Sequence, residues 1–392
     1  MISSEYTGQR LRVARERIGL TQAEAAVELG VSRPLLIAIE KGTREATPTE
    51  LVTLADLYGQ PLSEILRPSE PPTAIGARFR TALANTPGAN EIEHSIQELE
   101  RNADHYLDLL RRSSSSLPGH APSARLIEGL DTGLAAETLA LDERARLGLG
   151  DGPIDRVRET LEIEVGLRIF ELPLPHDISG LFVHLDPLGG CIAVNAYHPR
   201  ERRRWTEAHE YAHFIVNRNR PEITEIPGRK RLSDSERFAD AFAANFLMPR
   251  TGLLRRFSEL RRSKAGRVTP ASLIQLAHAY GVSAQAMTLR LEDLDMIPAG
   301  TWDKLKDHDF QPRKAAEQLG LQRDRDTVQV FPFHYRSLAV QLYADGEISE
   351  SQLARYLGTD IVGARQAYRD LTATSDIGDD GTAQVFDLRG SN

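Results

Sequence analysis

The chain has 392 residues, a formal net charge of −8 and 41% hydrophobic residues. That is enough for several packed cores, but too acidic for a protein coated in positive charge for nucleic acid. The single cysteine, Cys191, excludes a disulfide framework and fits a reducing compartment, where it reads as a small core residue in a strand. Residues 1–25 lack an apolar signal-like core and no run of 18 apolar residues occurs, so the expectation is a cytoplasmic protein without a membrane span.

From Gly8 to Ile18, Leu11, Ala14 and Ile18 alternate with arginines, the pattern of an amphipathic helix. Thr21 with Glu24 three residues on forms a capping box, Gly30 makes a turn and Ser32 caps the next helix. Helix, short turn, helix at this spacing is a helix-turn-helix. Thr47 to Tyr58 and Leu62 to Leu66 would complete a five-helix domain over residues 1–67. Thr21-Gln22, Ala26, Gly30-Val31-Ser32 and Ile39-Glu40-x-Gly42 resemble the Xre-type, lambda-repressor-like domains, over residues 8–67. The resemblance implies an operator-DNA partner. Gln22 would hold a phosphate, Ser32 and Arg33 would stand at the head of the reading helix with Arg33 reaching a base edge, and Lys41 and Arg44 would touch the backbone. The chain departs from the pattern at Pro34 and Ala38, usually polar base readers, and Leu35 and Ile37 are apolar. Its first 67 residues are also slightly acidic. Dimerisation, or receipt of another protein, is the alternative use of this domain.

Residues 68–124 read as a helical connector and linker. Pro68 to Pro72 is a linker by composition, and residues 74–112 have helical spacing through Ile92, Ile96, Leu99, Tyr106, Leu107, Leu109 and Leu110. They would form a dimerising hairpin or a spacer. Ser113 to Pro122 reads as flexible and as a domain boundary.

Residues 125–300 carry the chemistry. Helices are expected over Leu134 to Leu147 and Asp155 to Val165, then three strands over Leu167 to Leu172, Gly180 to Leu185 and Cys191 to Asn195. His209-Glu210-x-x-His213 follows. On a helix, residues four apart share a face, so both histidines can bind one metal ion while Glu210 takes a proton from water at the open coordination position. A catalytic zinc site needs a third protein ligand. Glu236 and Asp240, four apart on the helix from Ser235 to Met248, supply one carboxylate for the metal and one to orient a ligand histidine; we assign Glu236 and Asp240 in that order. Pro249 ends this helix. Trp205-Thr206-x-Ala208-His209-Glu210-x-Ala212-His213 with Glu236-x-x-Ala239-Asp240-x-Phe242-Ala243 and Leu247-Met248-Pro249 resembles the ImmA/IrrE metallopeptidases. In that family the first Glu of the second block is the third ligand, and Xre-type repressors are substrates. Zinc is the expected cofactor, with manganese or iron as alternatives. In zinc peptidases of this plan an edge strand above the metal pairs with substrate; Cys191, Ile192, Ala193, Val194 and Asn195 are the expected strand. His176, His184, Tyr197 and His198 read more simply as ordinary core or surface residues than as transition-state stabilisers. The basic runs Arg202 to Arg204, Arg229 to Arg231 and Arg255 to Lys264 read as solvated helix faces, with binding of DNA or an acidic effector as the alternative. Ser272 to Tyr280 and Ser283 to Leu291 form a helix pair joined through Gly281.

Residues 301–372 read as a small helical unit resembling a degenerate helix-turn-helix, and 373–392 as a weakly ordered tail. The expected class is α+β: an all-helical DNA-binding domain, a helical connector, a zincin-like domain with a three-stranded sheet, and a helical C-terminal unit. The expected function is a homodimeric transcription regulator with a zinc endopeptidase that cleaves a repressor-type protein, itself or a partner. The competing reading is a non-proteolytic regulator whose metallopeptidase-like domain senses an acyl-CoA or nucleotide. An intact Glu210 favours chemistry, because a sensor has no use for it.

Overall fold

The computed structural model describes residues 4–60, 62–66, 79, 89–125, 131–218, 220–225, 233–321, 327–372, 375–377 and 383–385. They divide into two units, Met1–Asp108 and Leu109–Asn392.

In the first unit, α1 (Ser4–Arg17), α2 (Gln22–Leu29), α3 (Arg33–Glu40), α4 (Pro48–Leu57) and α5 (Leu62–Ile65) enclose Leu11, Ala25, Leu36, Ile39, Leu54 and Tyr58. Thr21 and Thr47 open α2 and α4 with reciprocal capping boxes to Glu24 and Glu50. Gly30, at φ 71°, closes α2 in the left-handed conformation that a side chain would strain. A buried pair ties α1 to α3: Arg15 Nε lies 2.6 Å from Glu40 Oε1, and Arg15 Nη1 donates to the Leu20 carbonyl at 2.7 Å. The helix α6 (Ala89–Ser113) buries Ile92, Ile96, Leu99, Ala103, Tyr106 and Leu109 at three-to-four spacing. The linker at 68–72 and the expected first arm of a hairpin, except residue 79, lie outside the described residues.

In the second unit, β1 (Arg168–Leu172), β2 (Ile178–Leu185), β3 (Gly189–Asn195) and β4 (Glu222–Glu225) form a sheet in the order β1-β3-β2-β4. The β1–β3 pair is parallel and the others are antiparallel. The sheet thus has four strands rather than three. Glu222-Ile223-Thr224-Glu225 is too short and too polar to announce itself by alternation. The expected substrate strand is also misplaced: Cys191 to Asn195 lies in β3, paired on both sides and wholly buried. Its near-continuous apolar run marks an interior strand, which has no free edge to offer. Cys191 is buried, with its thiol pushed up to about 12 by desolvation. The helix expected up to Val165 is broken into α8 (Val157–Thr160) and a π-turn, Leu161–Val165.

Two long helices, α9 (Arg200–Val216) and α10 (Asp234–Leu247), pack with α7 (Thr132–Arg146) around Phe182, Tyr211, Phe214, Phe238, Phe242 and Phe246. Arg144, fully buried on α7, donates to the carbonyls of Gly150, Gly152 and Phe246. The run Arg202 to Arg204 is not a solvated face. Arg203 and Arg204 are buried, and they donate to the carbonyls of His198, Ile154 and Asp155.

The segment that composition reads as flexible, Ser113 to Pro122, ends as a strap docked on this unit. Arg168, Arg146 and Arg218 bind the carbonyls of Pro118, His120 and Pro122, and the His120 N–H donates to the Glu164 carbonyl. Gly119, at φ 99°, lies against Gly166 so closely that a Cβ would fall 2.3 Å from the Gly166 nitrogen. Ser-Pro composition cannot reveal arginines waiting elsewhere in the chain.

Further helices follow: α11 (Arg250–Ser263), α12 (Pro270–Tyr280), α13 (Ala284–Asp293), α14 (Thr301–Asp307), α15 (Pro312–Gln318), α16 (Phe333–Ala344), α17 (Glu350–Tyr356) and α18 (Ile361–Thr372). Before α16 the chain lies along the outer edge of β1, where the Glu171 N–H donates to the Val330 carbonyl at 3.1 Å. Buried Arg158 fastens it through the Gln329 and Phe331 carbonyls, and Glu171 and Glu162 accept the N–H groups of Gln329 and Phe333. Within the tail expected to be weakly ordered, β5 (Ser375–Ile377) and β6 (Ala383–Val385) pair antiparallel. Among the described residues no helix is long and apolar enough to cross a membrane.

Glu40→Ala would leave Arg15 buried without its carboxylate. The expected loss is about 3 kcal/mol in the stability of the N-terminal unit, measured by urea unfolding. An unchanged midpoint would mean that the pair contributes nothing.

Candidate metal centre

The helix α9 is buried on nearly every side. Ala208, Tyr211, Ala212 and Ile215 enter the core, which leaves His209, Glu210 and His213 on the face toward α10 and the sheet. All three are buried, so each polar atom needs a partner or a ligand.

Three donor atoms converge. His209 Nε2 lies 3.1 Å from His213 Nε2 and 3.2 Å from Glu236 Oε2, and His213 Nε2 lies 3.2 Å from Glu236 Oε1. A tetrahedral zinc ion with bonds near 2.0–2.1 Å has ligand–ligand edges of roughly 3.3 Å, so the spacing suits such an ion. Among the described residues this is the one such group of His, Cys, Asp or Glu. Ser233 caps α10 by accepting the Glu236 N–H, which places Glu236 in the first turn.

Asp240, one turn further along α10, holds His209. Its Oδ1 accepts from His209 Nδ1 at 3.0 Å and from Trp205 Nε1 at 3.3 Å. That bond keeps a proton on Nδ1, so that once His209 is neutral its lone pair lies on Nε2, where the other donors converge. His213 Nδ1 has no partner among the described residues. Glu210 Oε1 accepts the Thr224 hydroxyl at 2.6 Å, while its Oε2 is buried and unpartnered. Gly180 makes room for this carboxylate: a Cβ there would lie 2.8 Å from Glu210 Oε1 and 2.7 Å from Thr206 Cγ2.

The electrostatics follow from burial and neighbours. Burial would lower the pKa of His209, but hydrogen bonds to Asp240 and Glu236 outweigh it and raise the pKa well above the usual histidine range. Burial would raise Glu236, yet the two histidines hold it far below the ordinary carboxylate range. Burial raises Glu210, and His213, His209 and the Thr224 hydroxyl offset this only in part. Glu210 is therefore a better base than an exposed glutamate. Two imidazoles and one carboxylate, with a raised carboxyl beside them, fit a zinc ion.

The other nominated histidines stand apart from this group. His176 is exposed beside Asp177, His198 Nε2 lies 3.3 Å from the His176 carbonyl, and His184 stacks on Phe214 at 6.1 Å. Tyr197 is exposed. Sequence reasoning missed Thr224 and the role of Trp205 as a second donor to Asp240. The i, i+35 pairing of Trp205 with Asp240 leaves no local signal.

In the N-terminal unit, Ser32, Arg33 and Lys41 are exposed at the two ends of α3. Gln22 and Arg44 are partly engaged inside the fold: Gln22 Nε2 donates to Glu40 Oε2 at 2.9 Å, and Arg44 Nη1 lies 3.0 Å from Glu50 Oε2. Pro34 is exposed, and Leu35 and Ile37 are half-buried.

Residues 164–292 match the Peptidase_M78 family model, described as an IrrE N-terminal-like domain, and residues 8–67 match a helix-turn-helix domain model. A Pyrobaculum aerophilum protein, named provisionally as an HTH-type transcriptional regulatory protein, is 26% identical over 115 residues. The match spans 27% of this chain and 46% of that protein, so the chain covers about half of its relative. The crystal structure of ComR from Streptococcus suis aligns over 95% of this chain and 89% of its own at 13% identity, with a TM-score of 0.16.

Asp240→Ala should weaken zinc binding by about 10- to 100-fold, read by competition with a chelator, because His209 loses its orienting acceptor. Unchanged affinity would remove Asp240 from the centre. Zinc uptake at neutral pH should also expel a proton, since His209 holds one above its usual range and must release it to bind metal. Affinity then rises with pH. Calorimetric heats that are identical in two buffers of different ionisation enthalpy would show that no proton leaves.

Proposed function

The chain joins a helix-turn-helix domain at 8–67 to an IrrE-like M78 peptidase domain at 164–292, and from that premise we propose that it is a transcription regulator with a zinc-dependent endopeptidase. The substrate would be a repressor-type protein. The observation that carries this reading is the buried, unpartnered Oε2 of Glu210 beside three converging donors.

A zinc ion held by His209, His213 and Glu236 would supply a Lewis acid for a peptide carbonyl and lower the pKa of a water beside it. Glu210 takes the proton from that water through Oε2 and delivers it to the leaving amine. Thr224 fixes the other oxygen of Glu210, so that Oε2 stays aimed. Asp240 keeps His209 in one tautomer. The strand proposed for substrate is β4: among the described residues it ends the sheet, and Thr224 joins it directly to Glu210. An extended, locally unfolded segment is the expected partner of its outer edge.

The docked strap favours a partner protein over this chain as substrate. A cut between Pro118 and Arg125 would first need the release of carbonyls held by Arg168, Arg146 and Arg218. Exposed Arg33 and Lys41 support operator binding by the N-terminal domain, in the homodimeric form usual for such modules.

Glu210→Gln should keep zinc and lose about 10²- to 10⁴-fold in cleavage of a co-purified Xre-type repressor, followed by intact mass. Equal cutting by both proteins would point to a contaminating protease. No cutting by zinc-loaded wild type would end the peptidase reading for that substrate.

A further inference from the structure

The edge strand β4 carries a further carboxylate, Glu222, toward the metal centre. Thr224 pairs with Gly180 across the sheet, and both sit against Glu210. Two residues back, Glu222 pairs with Phe182, whose ring lies 6.2 Å from that of Phe214. Phe214 is one helical turn beyond Glu210 on α9. A strand advances about 6.8 Å in two residues and a helix about 6 Å in four, so the two registers march together. Alternation puts Glu222 and Thr224 on the same face. Glu222 therefore faces the metal-bearing side of α9, level with His213.

The side chain of Glu222 is only 16% exposed, and its charge interacts with His213, Glu236 and His209. The cation beside it is Arg220, whose Nε stands 3.6 Å away on a side chain 77% exposed. So loose and solvated a pair is easily exchanged. Nothing in the proposed water-activating machinery uses Glu222. With Glu210, Glu236 and Asp240 it brings four carboxyl groups to this side of α9.

We propose that Glu222 is a specificity-determining residue, which selects a lysine or arginine in an extended polypeptide docked on the outer edge of β4. The selected residue lies two positions from the residue level with Glu210. This inference rests on the peptidase reading above. In an antiparallel pair, residues directly opposite have Cβ atoms about 4.5–5.5 Å apart and side chains on the same face. A cationic side chain opposite Glu222 enters the acidic cleft and takes the place of Arg220. An acidic one meets like charge in a partly desolvated site, which specificity of this kind exploits as rejection.

The test uses the full-length, zinc-loaded protein and a positional-scanning peptide library. The expected profile favours Lys or Arg over Asp or Glu by about tenfold at one position, two residues from the cut, and Glu222→Lys reverses it. A Glu222→Lys profile identical to wild type overturns the proposal. If wild type cuts no peptide, the peptidase reading fails separately and the question passes to binding. Zinc-loaded Glu210→Gln is then titrated with fluorescent peptides that differ only in a single Lys or Glu. About tenfold tighter binding of the Lys peptide, reversed when Glu222→Lys is added, supports the selection. Equal or absent binding overturns it.

Discussion

A single helix that is both buried and polar sets the terms for the second unit. Arg203, Arg204, Glu207, His209, Glu210 and His213 all lie on α9, and all are buried. Desolvating such groups is costly unless each finds a partner. The neighbours are arranged to supply them. From α10 come Glu236 and Asp240, from β4 comes Thr224, from β1 comes Glu171, and the loops offer the carbonyls of Ile154, Asp155 and His198. Where partners fall short, the chemistry concentrates. Glu210 Oε2 and His213 Nδ1 are orphaned at the site where three donors converge. Glu207, further up the same helix, is pushed up to about 8 by burial and has an unpartnered Oε2.

The same demand explains two segments that wrap this unit. The strap around Gly119 and the chain before α16 are both held mainly by arginines donating to main-chain carbonyls. Arg158 shows the logic most fully: its guanidinium meets Glu162 and Glu171 and the carbonyls of Ile169, Gln329 and Phe331. Burial lowers its pKa, but the carboxylates outweigh this. Such a cluster favours one arrangement of chain because any other would leave a charge unpaired. It also covers the outer edge of β1; among the described residues no strand pairs with the outer edge of β4 at the other end of the sheet.

One local pattern occurs in both units with opposite outcomes. Gly30-Val31-Ser32 and Gly281-Val282-Ser283 each follow a capping box and place a left-handed glycine before a serine at the N-cap position, though only Ser283 accepts a capping hydrogen bond. After the first, Ser32, Arg33 and Pro34 are exposed. After the second, Ala284, Met287, Thr288, Arg290 and Leu291 are buried, and Arg290 donates to Asn245 and the Met248 carbonyl. Local signals specify the turn; the packing of the second helix decides whether it can read a ligand or only fill a core.

Local chemistry alone was sufficient for the helix caps, for the His209-Glu210-x-x-His213 face and for the second block with Glu236 and Asp240. Helical period and capping act within a few residues, and a donor cluster drawn from two helices leaves its spacing in each. Tertiary structure alone decided the order of the strands, the existence of β4, the burial of Arg203 and Arg204 and the docking of the strap. Each depends on groups distant in the chain: the pairing of Gly180 with Thr224, the contact of Gly119 with Gly166, the reach of Arg158 to Phe331. A four-residue strand has almost no periodicity, and alternation shows which face is buried but not which neighbour lies beside it. That is why the convergence of His209, His213 and Glu236 left a trace in the sequence, whereas the edge strand joined to Glu210 through Thr224 had to await the fold.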